Sequence, residues 1–177
     1  MPWVEAAREH KGLIAQFTCA PLSKRGTASS LYAKVQSEPW AVTVQSQLRN
    51  ARVPRKDGPF RIRINEHGDL IENIYVWRHE ILKDERTAFF RFEFLATHVD
   101  CRRQGLANAA YDEFLQSTYD VIDENVELEI AQYEADVHRD NSAMRLFLRE
   151  RGWSSDGIFI DGDYMVFMKR LQLLDPE

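Results

Sequence analysis

Read as a pattern of apolar and polar positions, the chain moves between two periods. Val4, Ala7, Leu13, Ile14 and Phe17 recur at helical spacing and predict a helix over Trp3 to Phe17; Trp40 to Leu48 predicts a second, shorter one. The period then drops to two. Phe60, Ile62 and Ile64 alternate with arginines, a turn falls at His67-Gly68-Asp69, and a return arm runs through Trp77, so this stretch reads as a β-hairpin. Residues 86–99, "RTAFFRFEFLATHV", form the next strand, and there the alternation breaks: Phe90, Phe92 and Phe94 are even, Leu95 and Val99 odd. Either a β-bulge exchanges the faces, or the strand is buried on both sides and alternation carries no information.

Downstream of the motif "RRQGLA" (102–107), Leu106, Ala107, Ala110, Tyr111, Phe114 and Leu115 repeat every three or four residues and predict a helix. A strand follows over 126–137. Asn141 then opens a helix with Ala143, Leu146 and Phe147 inward, closed by Gly152 as its C′ residue. Two last strands, Ile158 to Ile160 and Tyr164 to Met168, are joined by Asp161-Gly162-Asp163. No internal repeat is present, and "PLSKRGTASS" (21–30) reads as a loop.

Composition narrows the classes. A chain of 177 residues, 44% hydrophobic, fits one compact domain spanning 1–177. The net charge of −5 repels phosphate backbones, which places nucleic acid low among partners. Cys19 and Cys101 are the only cysteines; they lack metal-ligand spacing and read as buried thiols of a reducing compartment, so no metal is expected. No secretory core and no apolar run near the ~18 residues of a membrane span occur, so the expectation is a soluble, cytoplasmic chain.

The chemistry is concentrated after the broken strand. Gly105 and Ala107 fall at a strand-to-helix turn, where the unpaired N–H groups of the first helical turn and the helix dipole favour an anion, and a small or absent side chain lets it approach. Asn108 supplies a further donor; Arg102 and Arg103 supply positive charge. The plainer reading is a glycine that turns the chain, flanked by solvated arginines.

Strand, Arg-x-x-Gly-x-Ala, helix, strand, then Asn141 followed eleven residues later by Gly152-Trp153, resembles the GNAT superfamily of acetyl-CoA-dependent N-acetyltransferases over about residues 88–153. The resemblance implies an α/β GNAT fold: a mixed central sheet with splayed central strands, flanked by helices. It implies acetyl-CoA as cosubstrate, its pyrophosphate on the backbone of Arg103, Gln104, Gly105 and Ala107 with Arg102 and Asn108 alongside. The pantetheine arm would pair with Thr97 and Val99 and meet Asn141 from the other side. What fits less well is the start of the chain, where the pattern shows a helix and no clear first strand.

The implied reaction is direct attack of an amine on the thioester, which needs a base. Glu93 is the carboxylate available on the strand and His98 the second candidate; a salt-bridged strand residue and a strand-ending polar residue are the plainer readings of the two. The family's tyrosine acid falls at Leu148, leaving Tyr133 or water as substitutes. Eight acids against one base between Asp120 and Asp140 suit a cationic acceptor, or are a solvated strand edge; Arg49, Arg52, Arg55, Lys56, Arg61 and Arg63 suit an anionic partner, or are a solvated face. The resulting expectation is an acetyltransferase acting on a primary amine: a small amine, a polyamine, a Lys side chain or a protein N-terminus. A non-catalytic acyl-CoA-binding or regulatory module is the alternative, acylation of charged tRNA a distant third, and a homodimer is compatible.

Overall fold

The computed structural model describes residues 2–20, 38–155, 157, 159–160 and 162–173; the loop read at 21–30, Ile158 and Asp161 lie outside the described residues. A seven-stranded sheet runs in the order β1-β2-β3-β4-β5-β7-β6, with residues grouped into two compact units, Met1–Val76 with Phe94–Ala110 and Trp77–Glu93 with Tyr111–Glu177.

The first unit opens with a strand, not a helix. β1 (Trp3–Glu5) pairs antiparallel with β2 (Phe60–Ile64), Val4 opposite Ile62, and β2 pairs antiparallel with β3 (Ile71–Leu82). Three residues are too few to show a period, and their partner lies more than fifty positions away, so only the helical half of the pattern was visible. Leu13, Ile14 and Phe17 do mark a helix, α1 (Lys11–Gln16), which follows a 3-10 turn at Arg8–His10. α2 (Pro39–Arg49) has proline in its first turn, where a missing N–H costs nothing. Ile14, Phe17, Leu48, Phe60, Ile62, Ile74 and Val76 form this unit's core, joined by Ala96 from the end of β4 (Thr87–Thr97).

In the second unit β4 and β5 (Ile130–His138) run parallel, from Thr87↔Ile130 to Arg91↔Glu134. The parallel pair requires a crossover, supplied by α3 (Leu106–Asp123). The ladder stops at Arg91↔Glu134 although β4 continues to Thr97 and β5 to His138: this is the splay of the central strands. β5 pairs along its whole length with β7 (Tyr164–Gln172), which also pairs with β6 (Phe159–Ile160). The core here is aromatic. Phe92 stacks on Phe114 at 4.5 Å, Phe90 on Tyr133 at 5.2 Å, and the Trp153 indole donates to Tyr111 Oη at 2.8 Å. Phe94, at the same parity as Phe92, packs instead in the first unit's core, so β4 changes packing partners where the sequence loses its alternation.

α4 (Ser142–Arg149) begins as expected, with Asn141 Oδ1 accepting from the Met144 N–H at 3.1 Å. Its buried face is the expected one only in part: Phe147 is half-buried, its ring 5.7 Å from that of Tyr111. Leu146 is 59% exposed and Ala143 exposed, while Leu148 is fully buried. The helix ends in a Schellman motif, Trp153 N–H to Leu148 C=O and Gly152 N–H to Arg149 C=O, with Gly152 left-handed at φ +77°. This closure fixes Leu148 as an inward residue.

Candidate functional site

β4 gives way to a 3-10 turn at Val99–Cys101, then an exposed turn, then α3. Within the exposed turn Arg103 (φ +65°) and Gly105 (φ +77°) are both left-handed. Left-handed residues interspersed in a turn aim successive N–H groups into one concavity, a nest for an anion. Among the described residues none accepts a hydrogen bond from the backbone N–H of Arg103, Gln104, Gly105, Leu106 or Ala107. A Cβ on Gly105 would meet nothing within 4 Å, so the space above the turn is open. Arg103 is a non-glycine residue in a conformation that costs about 1–3 kcal/mol, and such residues cluster at ligand sites.

The expected ligands around this turn divide. Asn108 is exposed on the first turn of α3 and Ala107 is half-buried. Arg102 is directed elsewhere: its Nη2 donates to Cys19 C=O at 2.5 Å and lies 3.9 Å from Glu38. The Val99 N–H is committed to Thr18 C=O at 2.9 Å, which leaves only the Val99 carbonyl for another partner. Thr97, the last residue of β4, takes the Asn73 amide on its Oγ1 at 2.7 Å, while Asn73 Oδ1 is buried without a partner among the described residues. The sequence marked Phe17 as an apolar helical position and Cys19 as a buried thiol, but not the stretch Phe17–Ala20 as a neighbour of this turn. Gln45 Oε1 accepts from the Cys19 and Ala20 N–H groups, Arg49 donates to Phe17 C=O and Thr18 Oγ1, and Val99 and Arg102 hold the same stretch from the turn.

His98 does not suit a base. It is 7% exposed, edge-on to Phe17, and burial lowers its pKa against a smaller opposing effect of Asp100. Its Nδ1 accepts from the Asp100 N–H at 3.3 Å, so in the neutral ring the proton sits on Nε2 and neither nitrogen offers a free lone pair.

In the second unit the Glu93 side chain is 18% exposed, its carboxylate 3.3 Å from Arg78 Nε. Two positions earlier Arg91 joins Glu134 at 3.3 Å and Asp136 through a short charge-assisted bond, at the residue pair where the β4–β5 ladder ends. The acids of β5 are therefore partly neutralised from within. That Glu134 and Asp136 share Arg91 as a partner follows from the parallel register of β4 and β5 and was not legible in the sequence. Tyr133 is no spare acid: it is fully buried, its hydroxyl shared with Thr118 Oγ1 at 3.1 Å, and burial raises its pKa. Asn141 spends Oδ1 on its cap, leaving Nδ2 as a donor. No group of His, Cys, Asp and Glu suited to a metal, and no helix long and apolar enough to cross a membrane, occurs among the described residues.

No family model and no curated relative matches the sequence. Solved structures do match, along nearly the whole chain. A GNAT-family acetyltransferase from Staphylococcus aureus Mu50 superposes with a TM-score of 0.60 at 12% identity, covering 97% of this chain and 99% of that one. The PaiA N-acetyltransferase from Thermoplasma acidophilum, in complex with coenzyme A, gives 0.56 at 10% over 96% and 98%. The chain has the GNAT fold. Acceptors differ among proteins of the GNAT fold: the spermidine/spermine N-acetyltransferase SpeG from Vibrio cholerae matches with a TM-score of 0.52 at 12% identity, over 97% and 93%. At these identities it is the GNAT fold alone that is shared.

Proposed function

We propose that this chain, acting as one domain over 1–177, transfers an acetyl group from acetyl-CoA to a primary amine. The observation that carries the reading is the turn at Arg103–Ala107, with two left-handed residues and unspent N–H groups opening a helix in a GNAT fold. That set of donors suits a pyrophosphate, and Asn141 Nδ2 suits a carbonyl of the pantetheine arm; Thr97 and Val99 contribute backbone, Val99 through its carbonyl alone. Free buried Cys19 and Cys101 suit a reducing cytosol, where thiols persist.

In the step itself the amine nitrogen attacks the thioester carbonyl, the C–N bond forms and the C–S bond breaks. Glu93 takes the proton the amine must lose, in competition with its ion pair to Arg78. The CoA thiolate, of a thiol with a pKa of ~8.5, departs without a protein acid. Acceptors in keeping with this are a small amine, a polyamine, a Lys side chain or a protein N-terminus.

Calorimetry with CoA tests the donor half: the wild type binds, and Gly105→Glu, which sets a carboxylate above the turn, does not. A colorimetric assay of thiol release across an amine panel tests the transfer. A second reading, an acyl-CoA-binding module without turnover, is favoured by one observation: at the position the resemblance gives to a tyrosine acid stands Leu148, fully buried and with no proton to donate. CoA binding with no thiol release on any amine would select it.

A further inference from the structure

We infer that His98 is a positioning residue for the anion turn: as a neutral ring it accepts the Asp100 N–H and sets the path into Arg103–Ala107, so affinity for the acyl donor falls when the ring takes a proton. The inference rests on the acetyl-CoA reading of that turn.

The geometry is specific. The His98 N–H donates to Glu72 C=O at 2.9 Å, which fixes its backbone to β3; its C=O accepts the Cys101 N–H at 3.0 Å, closing the 3-10 turn. Its Nδ1 then caps that turn at the Asp100 N–H. Arg102 leaves the turn extended (φ −64°, ψ 153°), and the first left-handed residue, Arg103, follows directly. The direction in which the unspent N–H groups point is thus set by a turn whose cap is an imidazole nitrogen. The arrangement is a recurring one in this chain. In the second unit His138 Nδ1 accepts the Asp140 N–H at 3.2 Å, with the carboxylate again 3.9 Å away, immediately before the Asn141 cap.

Protonation reverses the cap. A protonated Nδ1 donates and can no longer accept from the Asp100 N–H; the partner within reach becomes the Asp100 carboxylate, 3.9 Å off, and the turn must shift to meet it. Among the described residues the groups placed against the ring are Asp100 from its own turn, its carboxylate 3.9 Å from Nδ1, and Phe17 from the end of α1; Glu72 of β3 meets the His98 backbone through its carbonyl, its carboxylate held by Arg63 at 3.0 Å. Burial holds the ring neutral at neutral pH, and only Asp100 opposes it.

The test compares CoA affinity by calorimetry at about pH 7.5 and at a lower pH where nitrogen NMR shows the His98 ring protonated, in the wild type, His98→Asn and His98→Gln. Asn places its oxygen where Nδ1 sits and forms the same i to i+2 bond without titrating; Gln places it near Nε2. At the higher pH His98→Asn stays close to wild type and His98→Gln binds about fivefold more weakly, the worth of one such hydrogen bond. On acidification the wild type loses more affinity than His98→Asn, the difference removing any titration of CoA itself. Equal pH dependence in the wild type and His98→Asn, or no difference between Asn and Gln, overturns the inference. A wild type that binds no CoA overturns the acetyl-CoA reading and, with it, the role assigned to the turn. Nitrogen NMR of the ligand-free protein judges the cap separately: an unprotonated Nδ1 is expected at the higher pH, and a protonated one overturns it whether or not CoA binds.

Discussion

Gly105 and Leu148 show how differently two motif positions behave once their surroundings are known. At Gly105 the added side chain meets nothing, so Gly105→Ala pays for the left-handed backbone alone, about 1 kcal/mol by chemical denaturation, with the turn's N–H groups still accessible. Leu148 is fully buried, and Leu148→Tyr must fit a ring and a hydroxyl into a filled core; a loss of about 1–3 kcal/mol, read as a lower thermal midpoint, is expected instead of faster turnover. The sequence shows plainly that no tyrosine stands at 148, but not that the position points inward, because the closure that turns it depends on Gly152 and Trp153. His98 is similar. Its residue type suggested a base, whereas its role is decided by which nitrogen the Asp100 N–H occupies, a matter of one turn's geometry. Its lowered pKa also has a sign: the unfolded chain binds the proton more readily, so stability present above the ordinary value of 6.5 is lost as pH falls through the folded value. His98→Asn should flatten that part of a pH–stability curve.

Among the elements, the long periodic ones were legible and the short or distant ones were not. The hairpin, α2, α3 and β7 follow from alternation and three-four spacing; β1 does not, since its existence depends on β2. α4 was found through its ends, the Asn141 cap and the Gly152 C′, while its inward face was judged only in part: Phe147 packs on Tyr111 as expected, but Leu148 is buried where Leu146 and Ala143 were expected, an orientation set together with the Schellman closure. Gly152→Ala is therefore expected to cost about 1 kcal/mol by loosening both α4 and Trp153, checked by denaturation alongside Trp fluorescence. Arg91→Met tests the end of the β4–β5 ladder. It leaves Glu134 and Asp136 without their common partner; with all three side chains about a third exposed the loss is modest, about 1 kcal/mol, and shrinks in high salt.

For the whole molecule, the fold is shared with proteins only 10–12% identical, which is why a short motif and the succession of elements pointed to it while no family model matches. The acceptor was not legible, because acids that looked available on β5 are engaged by Arg91. The net charge of −5 predicts no retention of tRNA on a filter at physiological salt. Both thiols are buried, that of Cys19 pushed up to about 11, so a thiol reagent should react with the native protein slowly and with the unfolded chain at once. The early end of the β4–β5 ladder has a last consequence. Beyond Glu134, β5 has a ladder among the described residues on one side only, toward β7, and a strand edge without a ladder is the kind on which another extended chain can add and start an aggregate. Asp136, a half-buried charge just past that point, is what a neighbouring strand would have to desolvate. Refolding yield at rising protein concentration should drop for Asp136→Val well before its native stability does.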